Sequence, residues 1–220
     1  MKSVRLHILI AFVGFAFSSC KEKTTKPEDF YYDYFPVEVG SWVTYDVEDT
    51  RYDVQITTET YQLKELIESE TTDNQGRPSL RMLRYWRTAD SLPWEIKDVW
   101  LSTRTKSTAE KVEENIRYVK LIFPVRDYQT WDGNIYNNEP EWEYFYDSIN
   151  EPRAINNLTF DETVKVVQAE NFNLIQEQVA YEIYAKNVGL VYRKLINLEY
   201  SETITTGRVL YQTVTGYGKD

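Results

Sequence analysis

Cysteine and histidine are almost absent from this sequence of 220 residues. The single cysteine is Cys20 and the single histidine is His7, so both lie in the first twenty positions. No second cysteine exists to form an internal disulfide, and zinc sites built from cysteine and histidine lack their ligands. Catalytic triads that use a histidine base and cysteine–histidine pairs are excluded for the same reason. We therefore expect a fold that depends on its hydrophobic core, with no metal, no cofactor and no enzymatic activity.

Long hydrophobic runs are also scarce. The most apolar stretch runs from Ile8 to Phe17 and follows the basic residues Lys2 and Arg5. It is far shorter than the ~20 residues that a membrane-spanning helix needs, and it has the order of a secretory signal peptide. We predict that residues 1–19 are such a signal.

The end of this segment carries a lipoprotein motif. Phe17-Ser18-Ser19-Cys20 resembles the lipobox of bacterial lipoproteins. The resemblance implies that Cys20 is acylated, becomes the new N terminus and anchors the protein to a membrane. An ordinary signal peptide with an incidental cysteine is the alternative. Lys21-Glu22-Lys23 is similar to the signal that sends some lipoproteins outward, so we expect an outer-membrane location in the bacterial envelope and leave the leaflet open.

Positive charge is in short supply. Without the signal, the chain has 23 basic and 35 acidic residues, a net charge of −12. Such a protein repels nucleic acid and anionic lipid headgroups, so nucleic acid is excluded as a partner. Neither G-x-x-x-x-G-K-[ST] nor G-x-G-x-x-G occurs, and nucleotide chemistry is therefore unsupported.

Aromatic residues, by contrast, are plentiful. The sequence has 18 Tyr, 9 Phe and 6 Trp, a mixture that favours pleated, half-buried surfaces. We predict a lipidated cysteine and flexible tether over residues 20–35 and a single β domain over 36–220. The aromatic cluster of residues 30–35 is interpreted as packing over the end of a sheet, with membrane contact as the alternative.

Alternating apolar residues separated by turn residues recur along the predicted domain. We predict an all-β fold of roughly ten or more mostly antiparallel strands in a meander, curled into a barrel or half-barrel, with at most one short helix. Asn187-Val188-Gly189 marks the clearest hairpin. A second hairpin is predicted at Glu114-Asn115, although Ser107-Thr108-Ala109-Glu110 also fits a capping box and leaves a one-turn helix as the alternative.

Three segments resemble a family of uncharacterised exported β-rich lipoproteins of bacteria. They are YFPVEVGSWVTYDV near the start, KLIFPV with WDGN in the middle, and YAKNVGLVYRKL near the end. The segments are strand edges and turns, so the resemblance implies a fold and an exported location. The family offers no assigned activity that could be carried over.

Trp86, Trp94 and Trp100 are the candidate ligand-binding residues. They lie on consecutive predicted strands and could line a pocket for a lipid or a saccharide. Aromatic residues within strands are more often part of the core, which is the alternative.

Two acidic segments are weaker candidates. Asp132-Gly133-Asn134, followed by Asn137, Asn138 and Glu139, offers oxygen ligands for calcium, but the spacing matches no EF-hand loop and suits an ordinary turn. Glu139, Glu141 and Glu143 around Trp142 could supply a glycosidase carboxylate pair. Alternation places Glu141 and Glu143 on one solvated strand face instead.

Two classes of function follow for a membrane-anchored envelope lipoprotein. The first is a non-enzymatic binding or carrier domain for an apolar or glycan ligand. The second is a docking or structural component that binds an envelope protein partner. A ligand binder should direct several of the three tryptophans into one enclosed apolar pocket, whereas a docking module should bury them in the core and expose a flat patch.

Overall fold

A computed structural model describes residues 29–220. The predicted signal peptide, Cys20 and the first part of the predicted tether lie outside the described residues. One 3-10 turn, Tyr32–Tyr34, precedes twelve β-strands. The strands are β1 (Ser41–Tyr52), β2 (Thr57–Thr72), β3 (Pro78–Arg87), β4 (Glu95–Arg104), β5 (Thr108–Glu113), β6 (Ile116–Ile122), β7 (Thr130–Asp132), β8 (Glu143–Ile155), β9 (Leu158–Phe172), β10 (Gln176–Ala185), β11 (Gly189–Tyr200) and β12 (Thr205–Lys219).

All twelve strands form one antiparallel sheet in the order β6-β5-β4-β3-β2-β1-β12-β11-β10-β9-β8-β7. Strands that follow each other in the chain pair, except for β6 and β7, and β1 also pairs with β12 along its whole length. The sheet curls into a nearly closed barrel. The predicted all-β antiparallel fold is confirmed.

The two free edges of the sheet, β6 and β7, meet at a seam that side chains close. The backbone N–H of Val119 donates to Gly133 O at 2.9 Å, and Trp131 Nε1 donates to Val119 O at 2.9 Å. The hydroxyl of Tyr146 accepts from Ile122 N at 2.9 Å and donates to Ile122 O at 2.7 Å. These bonds satisfy edge groups that would otherwise attract another strand.

The predicted turns are confirmed where the backbone demands special residues. Asn187 and Gly189 have φ values of 61° and 92° in the β10–β11 hairpin, a left-handed conformation that Gly and Asn adopt most easily. Glu114 and Asn115 have φ values of 48° and 68° and join β5 to β6. The short helix considered for this region is therefore wrong, because two consecutive left-handed residues form a tight hairpin turn.

β-Bulges decide which charged side chains point into the barrel. Arg84 pairs with Asp98 and Tyr85 with Ile96, which leaves Lys97 as the extra residue of β4. In the same way, Ala109 pairs with Leu121 and Glu110 with Val119, which leaves Lys120 as the extra residue of β6.

A bulge residue breaks the alternation of its strand and turns to the other face. The alternation of apolar and polar residues around Lys120 in the sequence does not indicate a bulge. Lys120 is nevertheless buried.

Candidate functional site

The N-terminal end of the domain closes one end of the barrel. Tyr34 and Phe35 are buried among side chains of β5, β6 and β8–β11. Arg104 Nη1 donates to Phe35 O at 2.9 Å, and Asn187 N donates to Asp33 O at 2.8 Å. The interpretation of this aromatic segment as packing over the sheet end is confirmed for Tyr31, Tyr32, Tyr34 and Phe35, whereas Phe30 is 39% exposed. Tyr34 and Phe35, which were assigned to the tether from the sequence, are thus part of the packed domain, because their aromatic side chains are buried in the core of the barrel.

The opposite end contains a cavity of about 500 Å³ within the barrel. Nine of its seventeen lining residues are charged: Asp49, Arg51, Glu59, Arg84, Lys97, Glu113, Glu114, Arg193 and Arg208. Four are aromatic: Tyr61, Trp86, Trp100 and Tyr118. Two further depressions, of about 480 and 560 Å³, draw many of their lining residues from loops and from outward-facing positions of the strands. We therefore take the cavity in the barrel as the candidate site.

Trp86 forms one aromatic wall of this cavity together with Tyr61. Their ring centroids are 6.2 Å apart in an edge-to-face arrangement. Lys97 Nζ lies 5.5 Å from the Trp86 ring and 5.6 Å from the Tyr61 ring. Within the described part of the chain, Lys97 forms no ion pair within 4 Å. The bulge of β4 thus presents an exposed ammonium group beside two aromatic faces, an arrangement suited to a polar ligand.

Trp100 lies deeper and is held by a buried arginine. The Arg84 guanidinium carbon is 3.5 Å from the Trp100 ring centroid. Arg84 Nε donates to Glu65 Oε1 at 3.1 Å, and Arg84 Nη1 donates to both carboxylate oxygens of Asp98 at 3.0 Å. Lys111 Nζ reaches the other Glu65 oxygen at 3.1 Å. The floor of the cavity is therefore a preorganised polar network rather than an apolar pocket.

Trp94 is not part of the cavity. It is half-buried at the end of the β3–β4 turn, and the Arg87 guanidinium carbon lies 4.4 Å from its ring centroid. Of the three tryptophans predicted to bind a ligand, two line one cavity and the third lies elsewhere. The cavity also differs from the enclosed apolar pocket that was expected, because most of its lining is charged.

A second buried network includes two of the residues that line the cavity, Glu113 and Arg193. Lys120 Nζ is 3.0 Å from Glu113 Oε1 and 2.9 Å from Glu182 Oε1. Arg193 lies 3.5 Å from each of these carboxylates, and Tyr184 donates its hydroxyl proton to Glu182 at 2.6 Å.

Burial of Glu113 alone would raise its pKa, but the nearby Lys120 and Arg193 outweigh this and lower the pKa to about 2. For Glu182, desolvation likewise acts upward, and the same two cations hold its pKa below the ordinary value. Both carboxylates are therefore ionised at neutral pH.

These depressed pKa values predict acid sensitivity. A carboxyl group with a folded-state pKa below its ordinary value of 4.5 contributes stability that is fully present above pH 4.5. That contribution is lost as the pH falls through the folded-state pKa. We expect urea unfolding to give a constant free energy from pH 7 to about pH 5 and a steep decrease between about pH 4.5 and 2.

The variant Glu113→Gln is expected to be less stable at pH 7 and to converge with the native protein near pH 2. A native protein that keeps its full stability at pH 2.5 would contradict this interpretation.

The acidic turn near Asp132 is a structural element. Asp132 Oδ1 accepts hydrogen bonds from Asn134 N and Trp142 N, both at 2.9 Å, and Asn137 donates to Asn134 Oδ1 at 3.0 Å. Side-chain oxygens of Asp132 and Asn134, which were considered as calcium ligands, thus accept hydrogen bonds that stabilise the turn. Across residues 29–220, no group of three or more Asp, Glu, His or Cys side chains is placed to hold a metal ion.

The glycosidase candidates are solvated. Glu139, Glu141 and Glu143 are exposed, and Trp142 donates its indole N–H to Gln168 O. Trp142 also packs edge-to-face on Tyr144 with ring centroids 5.4 Å apart. This tryptophan is held by the barrel wall and does not stand free as a sugar-stacking platform.

Sequence reasoning missed the charged residues of the site. Arg84, Lys97 and Arg193 come from three strands, and their convergence depends on strand register and bulges. The available signal was a basic residue inside a strand that is otherwise apolar on its buried face.

Among residues 29–220, no helix is long and apolar enough to cross a membrane.

Comparison with known proteins gives two solved structures that are similar to this chain. One is a protein of Bacteroides fragilis that is predicted to be exported and has a YmcC-like fold. It is 13% identical over 84% of this chain and 98% of that chain, with a TM-score of 0.46. The other is a predicted lipoprotein of Parabacteroides distasonis, 14% identical over the same shares, with a TM-score of 0.33. No protein-family model and no curated protein matches the chain.

Proposed function

We propose that this protein is a non-enzymatic binding protein of the bacterial envelope that takes a polar, saccharide-like ligand into the open end of its barrel. The observation that carries the proposal is the cavity, where the rings of Trp86 and Tyr61 stand beside Lys97 and a buried ionic floor. Flat aromatic faces with a few fixed polar groups are the usual components of a site that orients a polar ligand.

Charge in the cavity favours a polar ligand over an apolar one. A wholly apolar occupant would strip water from Arg51, Lys97 and Arg193 without replacing their hydrogen bonds, at a cost of several kcal/mol. A hydroxyl-rich ligand can accept from these donors and donate to the neighbouring carboxylates. Of the two ligand classes expected for a carrier, the glycan is therefore the better match.

Binding is a better match than catalysis for the same site. The described chain contains neither histidine nor cysteine. The buried carboxylate Glu113 has a pKa of about 2, because Lys120 and Arg193 favour its ionised form. A general acid needs a pKa raised towards neutrality, which is the opposite direction.

The position of the N-terminal segment at the closed end of the barrel supports an orientation in which the cavity opens away from the membrane. A lipid anchor on Cys20 would join the domain through the short segment that leads to Asp29, at the end closed by Tyr34 and Phe35. A flexible tether of about ten residues, as predicted from the sequence, would reach only ~17–19 Å, so the closed end would lie near the membrane. The cavity would then open towards the surrounding compartment or a second surface.

Trp86 and Trp94 provide a matched pair of variants for testing the proposal. We expect Trp86→Ala to weaken binding of a saccharide by about five- to 150-fold, because a stacked aromatic ring contributes on the order of 1–3 kcal/mol. Trp94→Ala likewise removes a half-buried tryptophan beside a cationic side chain, here Arg87, and it should leave affinity unchanged. The measurement is isothermal titration against the best ligand from an array of defined neutral and acidic oligosaccharides.

Native mass spectrometry of the protein purified from its own envelope provides a second test. A bound saccharide would support the proposal. An empty cavity together with one stoichiometric partner protein would favour the docking function instead. Equal loss of affinity in the Trp86 and Trp94 variants would show that the ligand binds outside the cavity.

A further inference from the structure

Exposed apolar side chains are concentrated on the hairpin turns at the open end of the barrel. In an antiparallel meander, the β1–β2, β3–β4, β9–β10 and β11–β12 turns all lie at the same end of the sheet. These four turns carry Val54, Ile56, Leu92, Leu174, Ile175 and Ile204, which we call the rim.

The rim residues are unusually exposed for aliphatic side chains. Leu174 and Val54 are 96% and 88% exposed, and Ile175 and Ile56 are 68% and 66% exposed. The turns are neighbours around the barrel: Tyr52 pairs with Gly207 beside the β1–β2 and β11–β12 turns, and Tyr200 N donates to Ile175 O at 2.8 Å. Neighbouring exposed apolar groups mark an interaction surface more often than scattered ones do.

Polarity in this barrel is therefore reversed relative to an ordinary lipid carrier. The cavity is charged and aromatic, while the exposed apolar residues lie on turns at the same end of the barrel. We propose that the ligand is an amphiphile of the glycolipid type, with its saccharide head in the cavity and its acyl or alkyl chain on the rim. This inference rests on the proposed saccharide-binding function and adds the apolar half of the ligand.

Charge on the rim disfavours two other occupants. The four turns carry the acidic residues Asp53, Asp90 and Glu202 and no basic residue. Arg87 of β3 pairs with Asp90 at 2.6 Å, which leaves Asp53 and Glu202 without an ion pair among the described residues. Two copies meeting rim to rim would bring these like charges together, and an anionic bilayer surface would repel them. A hydrocarbon chain carries no charge and meets neither obstacle.

Matched glycans with and without a chain test the inference. The probes are glucose, N-acetylglucosamine and glucuronic acid, each as the free sugar and as its n-octyl β-glycoside below the critical micelle concentration. Isothermal titration of the intact domain should give at least one octyl glycoside that binds at least tenfold more tightly than its free sugar. The double variant Val54→Ser with Leu174→Ser should lose this gain and keep the affinity for the free sugar. Both positions are exposed, so folding should be preserved.

Val39→Ser is the control, because Val39 is 42% exposed and precedes β1 at the closed end. It should keep both affinities. Free sugar and octyl glycoside binding equally would overturn the inference and leave the proposed function standing, whereas failure of all six probes would overturn both. An n-octyl chain on a short polyethylene glycol that binds as tightly as the glycosides would overturn the head-in-cavity arrangement. Sedimentation showing a dimer that the rim variant dissolves would assign the rim to a second copy and overturn the inference.

Discussion

Lys120→Met is expected to lower the free energy of unfolding by about 3–5 kcal/mol, the usual cost of removing one partner from a buried ion pair. Lys120 is 3% exposed and contacts Glu113 and Glu182 at 3.0 and 2.9 Å. Without it, two buried carboxylates would share the more distant Arg193. Urea denaturation at pH 7 measures the effect, with a parallel decrease in melting temperature.

Lys165→Met is the matched control. Lys165 also lies on a strand and also pairs with a carboxylate, Asp147, at 3.0 Å, but both side chains are partly exposed to solvent. Surface pairs of this kind contribute about 0–1 kcal/mol. Similar losses in the two variants would show that water reaches the Lys120 network. Adding Glu182→Gln to Lys120→Met should restore part of the stability, since it removes one unpaired charge.

Tyr146→Phe is expected to cost about 1–3 kcal/mol although it deletes a single oxygen atom, because two partly buried backbone groups lose their partner. The Tyr146 hydroxyl, on β8, bonds both Ile122 N and Ile122 O of β6 at the seam. The phenylalanine ring would keep the packing of this fully buried residue. Unfolding in urea measures the loss, and hydrogen exchange should show faster exchange of the Ile122 amide.

Tyr200→Phe tests whether the effect belongs to the seam. The Tyr200 hydroxyl donates to Glu177 Oε2 at 2.8 Å, but neither group is buried. Its removal should change stability by no more than about 0.5 kcal/mol. An unchanged Ile122 exchange rate in Tyr146→Phe would mean that the seam is closed by Trp131 and the Val119–Gly133 bond without this hydroxyl.

Strands and turns were predictable because their signals are local. Alternation in SWVTYDV, SLRMLRYWR and RYVKLI marks half-buried strands, and Asn187 and Gly189 mark a hairpin through the left-handed backbone that they tolerate. Short, regular connections between such strands already favour an antiparallel meander. The all-β fold therefore follows from the sequence.

The cavity was only partly predictable. Trp86 and Trp100 were correct as neighbours in one cavity, since they occupy corresponding faces of adjacent strands. Trp94 falls just before β4, where the backbone has left the sheet, so alternation no longer determines its direction. The sequence therefore grouped Trp94 with Trp86 and Trp100, although it does not line the cavity.

Sequence patterns were sufficient to predict the strand content, the turn positions and the aromatic segment that packs over one end of the barrel, because each depends on residues close together in the chain. The folded barrel was needed to show that charged side chains lie inside and that apolar residues are exposed on the turns at its open end. Bulges at Lys97 and Lys120 reverse the side-chain alternation, and a shift of one residue moves a side chain to the opposite face. Glu113, Lys120, Glu182 and Arg193 come from four strands, and only closure of the sheet brings them within ion-pair distance.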